Sequence, residues 1–140
     1  MTTEPRNPAI AALLLRVSLG TMFVAHALLK YFVFTLPGNA QFFESLGLPG
    51  ALGYLTFAAE LVGGVLLIAG VQVRTVALAL VPILIGATWV HAGNGWLFTS
   101  PKGGWEYPAF WTVTLVVQAL LGEGAFALRP SGRPTSLQTA

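Results

Sequence analysis

Five ionisable side chains stand inside or beside long apolar stretches of this sequence: His26, Lys30, Glu60, His91 and Glu106. Imidazole, ammonium and carboxylate groups can take up, hold and release protons, and they can bond the polar oxygens of a small molecule. Inside a bilayer such groups are costly, usually turn toward the protein interior and mark functional sites. His26 lies about eight residues before the outer end of the first apolar segment and Glu60 about eight after the outer start of the second, so at about 1.5 Å per residue both sit roughly 12 Å deep. Lys30 is one helical turn outward from His26 on nearly the same face. His91 ends the third segment and Glu106 precedes the fourth. These five are expected to converge on one outward-opening cavity, with Gln118, at a depth like that of Glu60, completing its lining. Glu60 then serves as a proton acceptor or as the partner of a polar headgroup. The plainer reading is a buried carboxylate satisfied by Lys30 or a histidine and nothing more.

A second group, Arg16, Arg74 and Glu123, falls on the opposite side of the membrane and reads as a structural clamp, with Glu123 pairing with one of the arginines. Metal chemistry would have to use His26 and His91 as axial haem ligands, or as copper or zinc ligands together with Glu60. Two histidines at different depths make a poor ligand set, and no metal is expected. With no cysteine in the chain, disulfides, thiol relays and cysteine-held iron–sulfur clusters are excluded. No serine nucleophile with a matching base stands out, and Gly122-x-Gly124, lacking a preceding strand, is not a nucleotide fingerprint. Gly20, Gly63 and Gly64 read as flat surfaces for close helix contact.

The elements that must position these groups follow from composition. Of 140 residues, 55% are hydrophobic and 9% charged, and mean hydropathy is +0.74, against about 25% charged in ordinary soluble domains. Four apolar stretches, at about 10–34, 52–71, 75–90 and 109–128, nearly exhaust the chain at roughly 20 residues per crossing. Continuous apolar runs predict helices rather than barrel strands. The expected fold is therefore all-α: one domain over residues 1–140, an integral membrane four-helix bundle, with the first segment retained rather than cleaved and Pro82 kinking the third helix. The breaks are Leu36-Pro37-Gly38-Asn39, Gly70 with Gln72 and Arg74, and Gly93-Asn94-Gly95. Arg6, Arg16, Arg74, Arg129 and Arg133 fall on one side, against Lys30 and Lys102 on the other, which predicts both termini cytoplasmic. Tyr31, Tyr54, Trp89, Trp96, Trp105, Tyr107 and Trp111 lie near the opposite ends, as an outer aromatic belt would. The net charge of +2 rests on few groups and gives no argument for nucleic acid. The longer outer connections, residues 36–50 and 92–108, are the expected lid or partner surface.

The ordered set Leu13-Leu14-Leu15-Arg16, Gly20, Phe23, His26, Lys30, Phe43, Gly47, Glu60, Gly63-Gly64, Gly70, Arg74, His91, Glu106 and Tyr107 resembles the DoxX family over about residues 9–129. Ala27 stands where the family often has glycine after the histidine. The resemblance implies a small four-helix protein of the cytoplasmic membrane of a bacterium or archaeon. It also implies a link to oxidoreductase complexes, the family name coming from a subunit associated with thiosulfate:quinone oxidoreductase. A quinone is then the expected cofactor, bonded by His26, Lys30, Glu60 and Gln118. The chain holds no recognisable electron carrier, so a redox partner protein is expected beside the lipid bilayer, and a homo-oligomer is compatible. Two other classes compete: a non-enzymatic scaffold or assembly factor, and a small proton-coupled transporter using the same His and Glu.

Overall fold

The computed structural model describes residues 6–130, which form five α-helices: α1 (Arg6–Phe32), α2 (Leu36–Ser45), α3 (Ala51–Ala69), α4 (Val73–His91) and α5 (Glu106–Leu121). A 3₁₀ turn, Ala92–Asn94, extends α4. Glu4 and Arg133 lie outside the described residues. Three helices are long and apolar enough to cross a membrane: Arg6–Phe32, Ala51–Ala69 and the stretch Val73–Asn94. The chain is a multi-pass membrane protein, and these helices imply contact with the lipid bilayer.

Each helix buries one narrow stripe at helical spacing. On α1 it is Ala12, Arg16, Leu19, Gly20, Phe23 and Ala27; on α4 it is Val73, Ala77, Leu80 and Leu84. The remaining faces are apolar and outward, with Leu14, Leu55, Phe110 and Leu120 each more than 60% exposed. In a water-soluble protein such a surface would aggregate; against lipid tails it is solvated. Helix α3 packs on α1, α4 on α3, and α5 on both α4 and α1.

Small residues set the closest contact. A Cβ on Gly20 would lie 2.7 Å from the Gly64 carbonyl oxygen, and one on Gly64 would lie 2.8 Å from the Gly20 oxygen, so α1 and α3 touch backbone to backbone. Gly63 receives the Leu80 side chain of α4 in the same way. This is the packing role the sequence predicts for these glycines.

Two elements depart from the expected map. The predicted break at Leu36-Pro37-Gly38-Asn39 is instead the first turn of α2: the Thr35 hydroxyl caps the Gly38 amide and proline occupies the first turn, where its missing N–H costs nothing. Asn39 then fastens α2 to α3 through its amide donor on the Gly53 carbonyl, 2.8 Å away. The fourth apolar segment stops at Leu121 rather than 128, because Gly122 and Gly124 both adopt positive φ, 85° and 72°. The chain after them crosses the end of the molecule as a strap. The Ala125 amide donates to Ala9 O at 2.9 Å, Leu128 N to Ala69 O at 3.2 Å and Arg129 N to Gly70 O at 3.1 Å. Helix α4 runs through Pro82 without interruption.

Candidate functional site

Lys30 and Glu60 meet. The Lys30 ammonium donates to Glu60 Oε2 at 2.7 Å, with the carboxylate side chain 7% and the ammonium side chain 17% exposed. The helix geometry explains how residues of unequal depth find each other. Measured from the Gly20–Gly64 contact, Lys30 is ~15 Å and Glu60 ~6 Å along antiparallel axes. Side chains lean toward their own helix N-terminus, so Lys30 reaches inward and Glu60 outward, and the offset closes.

His26 occupies the neighbouring position on α1, between the buried Phe23 and Ala27 of the stripe and Lys30. Its Nδ1 lies 2.9 Å from the Met22 carbonyl oxygen. A carbonyl only accepts, so Nδ1 carries the hydrogen and Nε2 is the free nitrogen, an acceptor in the neutral ring. Across the helix boundary the imidazole meets α5: its ring centroid is 4.8 Å from that of Trp111, edge-on, and 6.3 Å from that of Tyr107, stacked. Trp111 also packs on Phe23 at 4.7 Å and on Tyr107 at 5.7 Å. It is 4% exposed, so it belongs to the core rather than to the aromatic belt. Its indole N–H is buried without a hydrogen-bond partner among the described residues. The belt residues Tyr31, Tyr54, Trp89, Trp96 and Tyr107 are each at least 45% exposed, as expected of that role.

Glu106 works on the loop between α4 and α5. Its Oε1 accepts from the Phe98 amide at 2.9 Å, while Trp105 N donates to Gly95 O at 3.1 Å and Glu106 N to Trp96 O at 3.2 Å. Trp96, Phe98, Glu106, Tyr107 and Phe110 together line a cavity of about 370 Å³, within the size range of small-molecule sites. Tyr107 therefore borders both this cavity and the His26 imidazole. His91 bonds the carbonyl of Ala87 through Nδ1 at 2.8 Å and lies against Gly103 of the loop.

Gln118 does not join this group. It is fully buried, but its amide donates to Gly122 O at 2.7 Å, closing the last turn of α5 at the opposite end of the molecule. It is not among the residues that line the cavity: α5 starts at Glu106 and ends at Leu121, so Gln118 stands twelve positions from the start of the helix and three from its end.

At that opposite end lies the arginine group. Arg16, 1% exposed, donates from Nη2 to Ala125 O at 2.9 Å and feels the Glu123 charge. Arg74 places Nη1 on the carbonyls of Ala119 and Leu120 at 3.0 and 3.2 Å, where a cation complements the unpaired carbonyls and partial negative charge of a helix C-terminus. Gly70 caps α3 with φ 74° and its amide on Leu66 and Leu67. A Cβ there would overlap the Arg16 guanidinium. These contacts tie strap, turn and helix ends together, which is the work of a clamp.

The structure thus brings together Lys30 with Glu60, and His26 with Tyr107 and Trp111, and it places Glu106 on the same cavity as Tyr107. Trp111 is the residue that the sequence reading assigned to the wrong environment. The signal that would have found it is the buried stripe Trp111, Leu115, Gln118 and Ala119 at helical spacing. Among the described residues, no three His, Cys, Asp or Glu side chains cluster as a metal site.

A Bacillus subtilis (strain 168) protein named "Putative oxidoreductase CatD" is 36% identical over 121 residues, covering 86% of each chain. No solved structure matches the chain. The sequence pattern of the DoxX family matches residues 11–93, a span that carries His26, Lys30, Glu60, Arg74 and His91, and the chain belongs to the DoxX family.

Proposed function

We propose that this protein is the membrane subunit of an oxidoreductase system, that it is quinone-linked, and that a quinone headgroup binds beside His26, Lys30 and Glu60. Family membership and the similarity to a protein named as an oxidoreductase support the coarse part of this reading. The observation that carries the finer part is the Lys30–Glu60 pair, a charged contact 2.7 Å long with its carboxylate 7% exposed, held in segments apolar enough to span a membrane. An ion pair there is expensive unless it serves something.

The residues fit a quinone headgroup. His26 has a free Nε2, Lys30 is a donor with hydrogens to spare beyond Glu60, and the aromatic cavity at Tyr107 has room for a ring. When bound, a quinone supplies two-electron, two-proton carrier chemistry. This chain contributes the binding of its oxygens by Lys30 and His26, a proton store at His26 Nε2, and a charge on Lys30 held in place by Glu60. Electrons come from a redox partner protein, since no residue here carries them.

In this reading α5, although only 16 residues long, is the fourth crossing and completes a four-helix bundle in a bacterial or archaeal cytoplasmic membrane. Arg6, Arg16, Arg74 and Arg129 gather at one end of the helices and Lys30 and Lys102 at the other, which orients the arginine end and both termini toward the cytoplasm. The site opens outward.

The test is binding of a short-chain benzoquinone to the purified protein in lipid nanodiscs, with Glu60→Gln and His26→Ala compared against wild type after circular dichroism confirms their helicity. Saturable binding weakened about tenfold or more in both folded variants is expected. Wild-type protein that shows no saturable binding refutes the quinone reading and leaves the scaffold role as the better account.

A further inference from the structure

Among the described residues four buried side-chain atoms lack a hydrogen-bond partner, Arg16 Nε and Nη1, Gln118 Oε1 and Trp111 Nε1, and of these only the Trp111 nitrogen lies at the His26 end of the molecule. The residue is 4% exposed and its indole N–H has no hydrogen-bond partner. Buried donors are nearly always paired, because an unmade bond forfeits the hydration the group had in water. Packing does not require the nitrogen: the contact with Phe23 at 4.7 Å is ring against ring and needs only an aromatic surface. The immediate polar neighbour, His26, has committed Nδ1 to Met22 O and keeps Nε2 free. Two side chains on facing helices, 4.8 Å apart between ring centroids, therefore both retain unused hydrogen-bonding capacity. Tyr107, one turn outward on α5 and 5.7 Å from the Trp111 ring, is also one of the residues lining the 370 Å³ aromatic cavity.

We propose that Trp111 is a ligand-binding residue of the His26 site, its indole N–H donating to a carbonyl oxygen of a flat conjugated ring that inserts beside the imidazole from the Tyr107 cavity. This rests on the quinone reading above and adds to it the residue that recognises the carbonyl. The chemistry selects the ligand class. Indole N–H only donates and carries no charge, so it suits a neutral acceptor. An anion would instead seek a cation, and of the two ammonium groups at this end Lys30 is engaged by Glu60 while Lys102 is exposed on the loop and does not line the cavity. The walls offered by His26, Tyr107, Trp111 and the cavity residues Phe98 and Phe110 favour a planar π-system over an aliphatic carbonyl compound.

The test replaces Trp111 with 3-benzothienylalanine, which keeps the bicyclic shape and exchanges N–H for sulfur, alongside Trp111→Phe. The full chain is placed in nanodiscs and titrated with a short-chain benzoquinone, and ¹⁵N-labelled tryptophan in the wild type reports each indole N–H, the Trp111 resonance being the one absent from Trp111→Phe. The expected result is a saturable shift of that resonance and a Kd raised roughly three- to tenfold by the sulfur isostere. If wild type binds saturably while the resonance stays still, or the isostere binds as tightly as wild type, the assignment of Trp111 is overturned and the His26–Lys30–Glu60 site stands. If wild type does not bind, both fall. Should Trp111→Phe fail to fold, the resonance is assigned through the isostere, which also lacks the N–H.

Discussion

Removing the charge of Lys30 alone should destabilise the protein more than removing both charges of the pair. In the native structure the two groups are 2.7 Å apart, with Glu60 7% and Lys30 17% exposed at the side chain. Lys30→Met leaves a carboxylate buried in an apolar helix pair, and breaking a buried pair on one side costs about 3–5 kcal/mol. Glu60→Leu leaves the ammonium instead, which sits nearer the helix end and can move to the interface on its long stem, so a smaller loss, about 1–3 kcal/mol, is expected. The double variant Lys30→Met/Glu60→Leu leaves neither charge stranded, and apolar replacements of buried pairs are often neutral or better. With a near-neutral double variant the cycle should therefore close with a coupling energy of roughly 4–8 kcal/mol in favour of the pair, the sum of the two single losses. Reversible unfolding of α-helical protein in mixed detergent micelles, followed by circular dichroism, measures all four proteins under one condition. Two single variants that each cost under about 0.5 kcal/mol and add without coupling would refute the reasoning, because that is how a solvent-exposed pair behaves.

Other residues give sharper steric and topological tests. Gly64→Ala should cost about 1–3 kcal/mol, since its Cβ would lie 2.8 Å from a backbone oxygen of α1, whereas Gly86→Ala, with nothing within 4 Å, should stay within about 1 kcal/mol of wild type or gain slightly. The same unfolding assay compares them. Gly70→Ala combines a left-handed backbone at φ 74° with overlap on Arg16, so a loss of about 2 kcal/mol or more is expected, together with faster amide exchange along residues 125–129 as the strap loosens. Because the chain contains no cysteine, single cysteines report orientation cleanly. Ser100→Cys should react with a membrane-impermeant maleimide on intact cells and Asn7→Cys only after lysis, and the reverse pattern would invert the proposed topology.

How much of this was legible in the residues varies with the kind of question. How far His26 and Glu60 stand from their helix ends follows from counting to within about two residues, because a helix rises a nearly constant distance per residue: His26 is six positions before Phe32 and Glu60 nine after Ala51, where about eight were expected for each. Whether either faces a partner does not, because the rotation of one helix against another depends on which small residues let the backbones approach. Gly20 and Gly64 set that rotation for α1 and α3 and deliver Lys30 to Glu60. Trp111 shows the converse: an aromatic near a segment end fits the interfacial belt by its position, yet α1 covers it through Phe23 and His26.

Composition and hydropathy alone determine that this is an all-α membrane protein, since so few charges and such long apolar runs have no stable arrangement in water, and the ordered polar positions are enough to suggest the family. The strap after Gly122, the helix at Leu36–Ser45, the diversion of Gln118 to Gly122 and the stranded indole of Trp111 were decided only in the tertiary structure. Local sequence sets where a helix can run, but termini, azimuth and hydrogen-bond partners are settled by competition among elements distant in the chain, and that competition is resolved only when all of them are packed together.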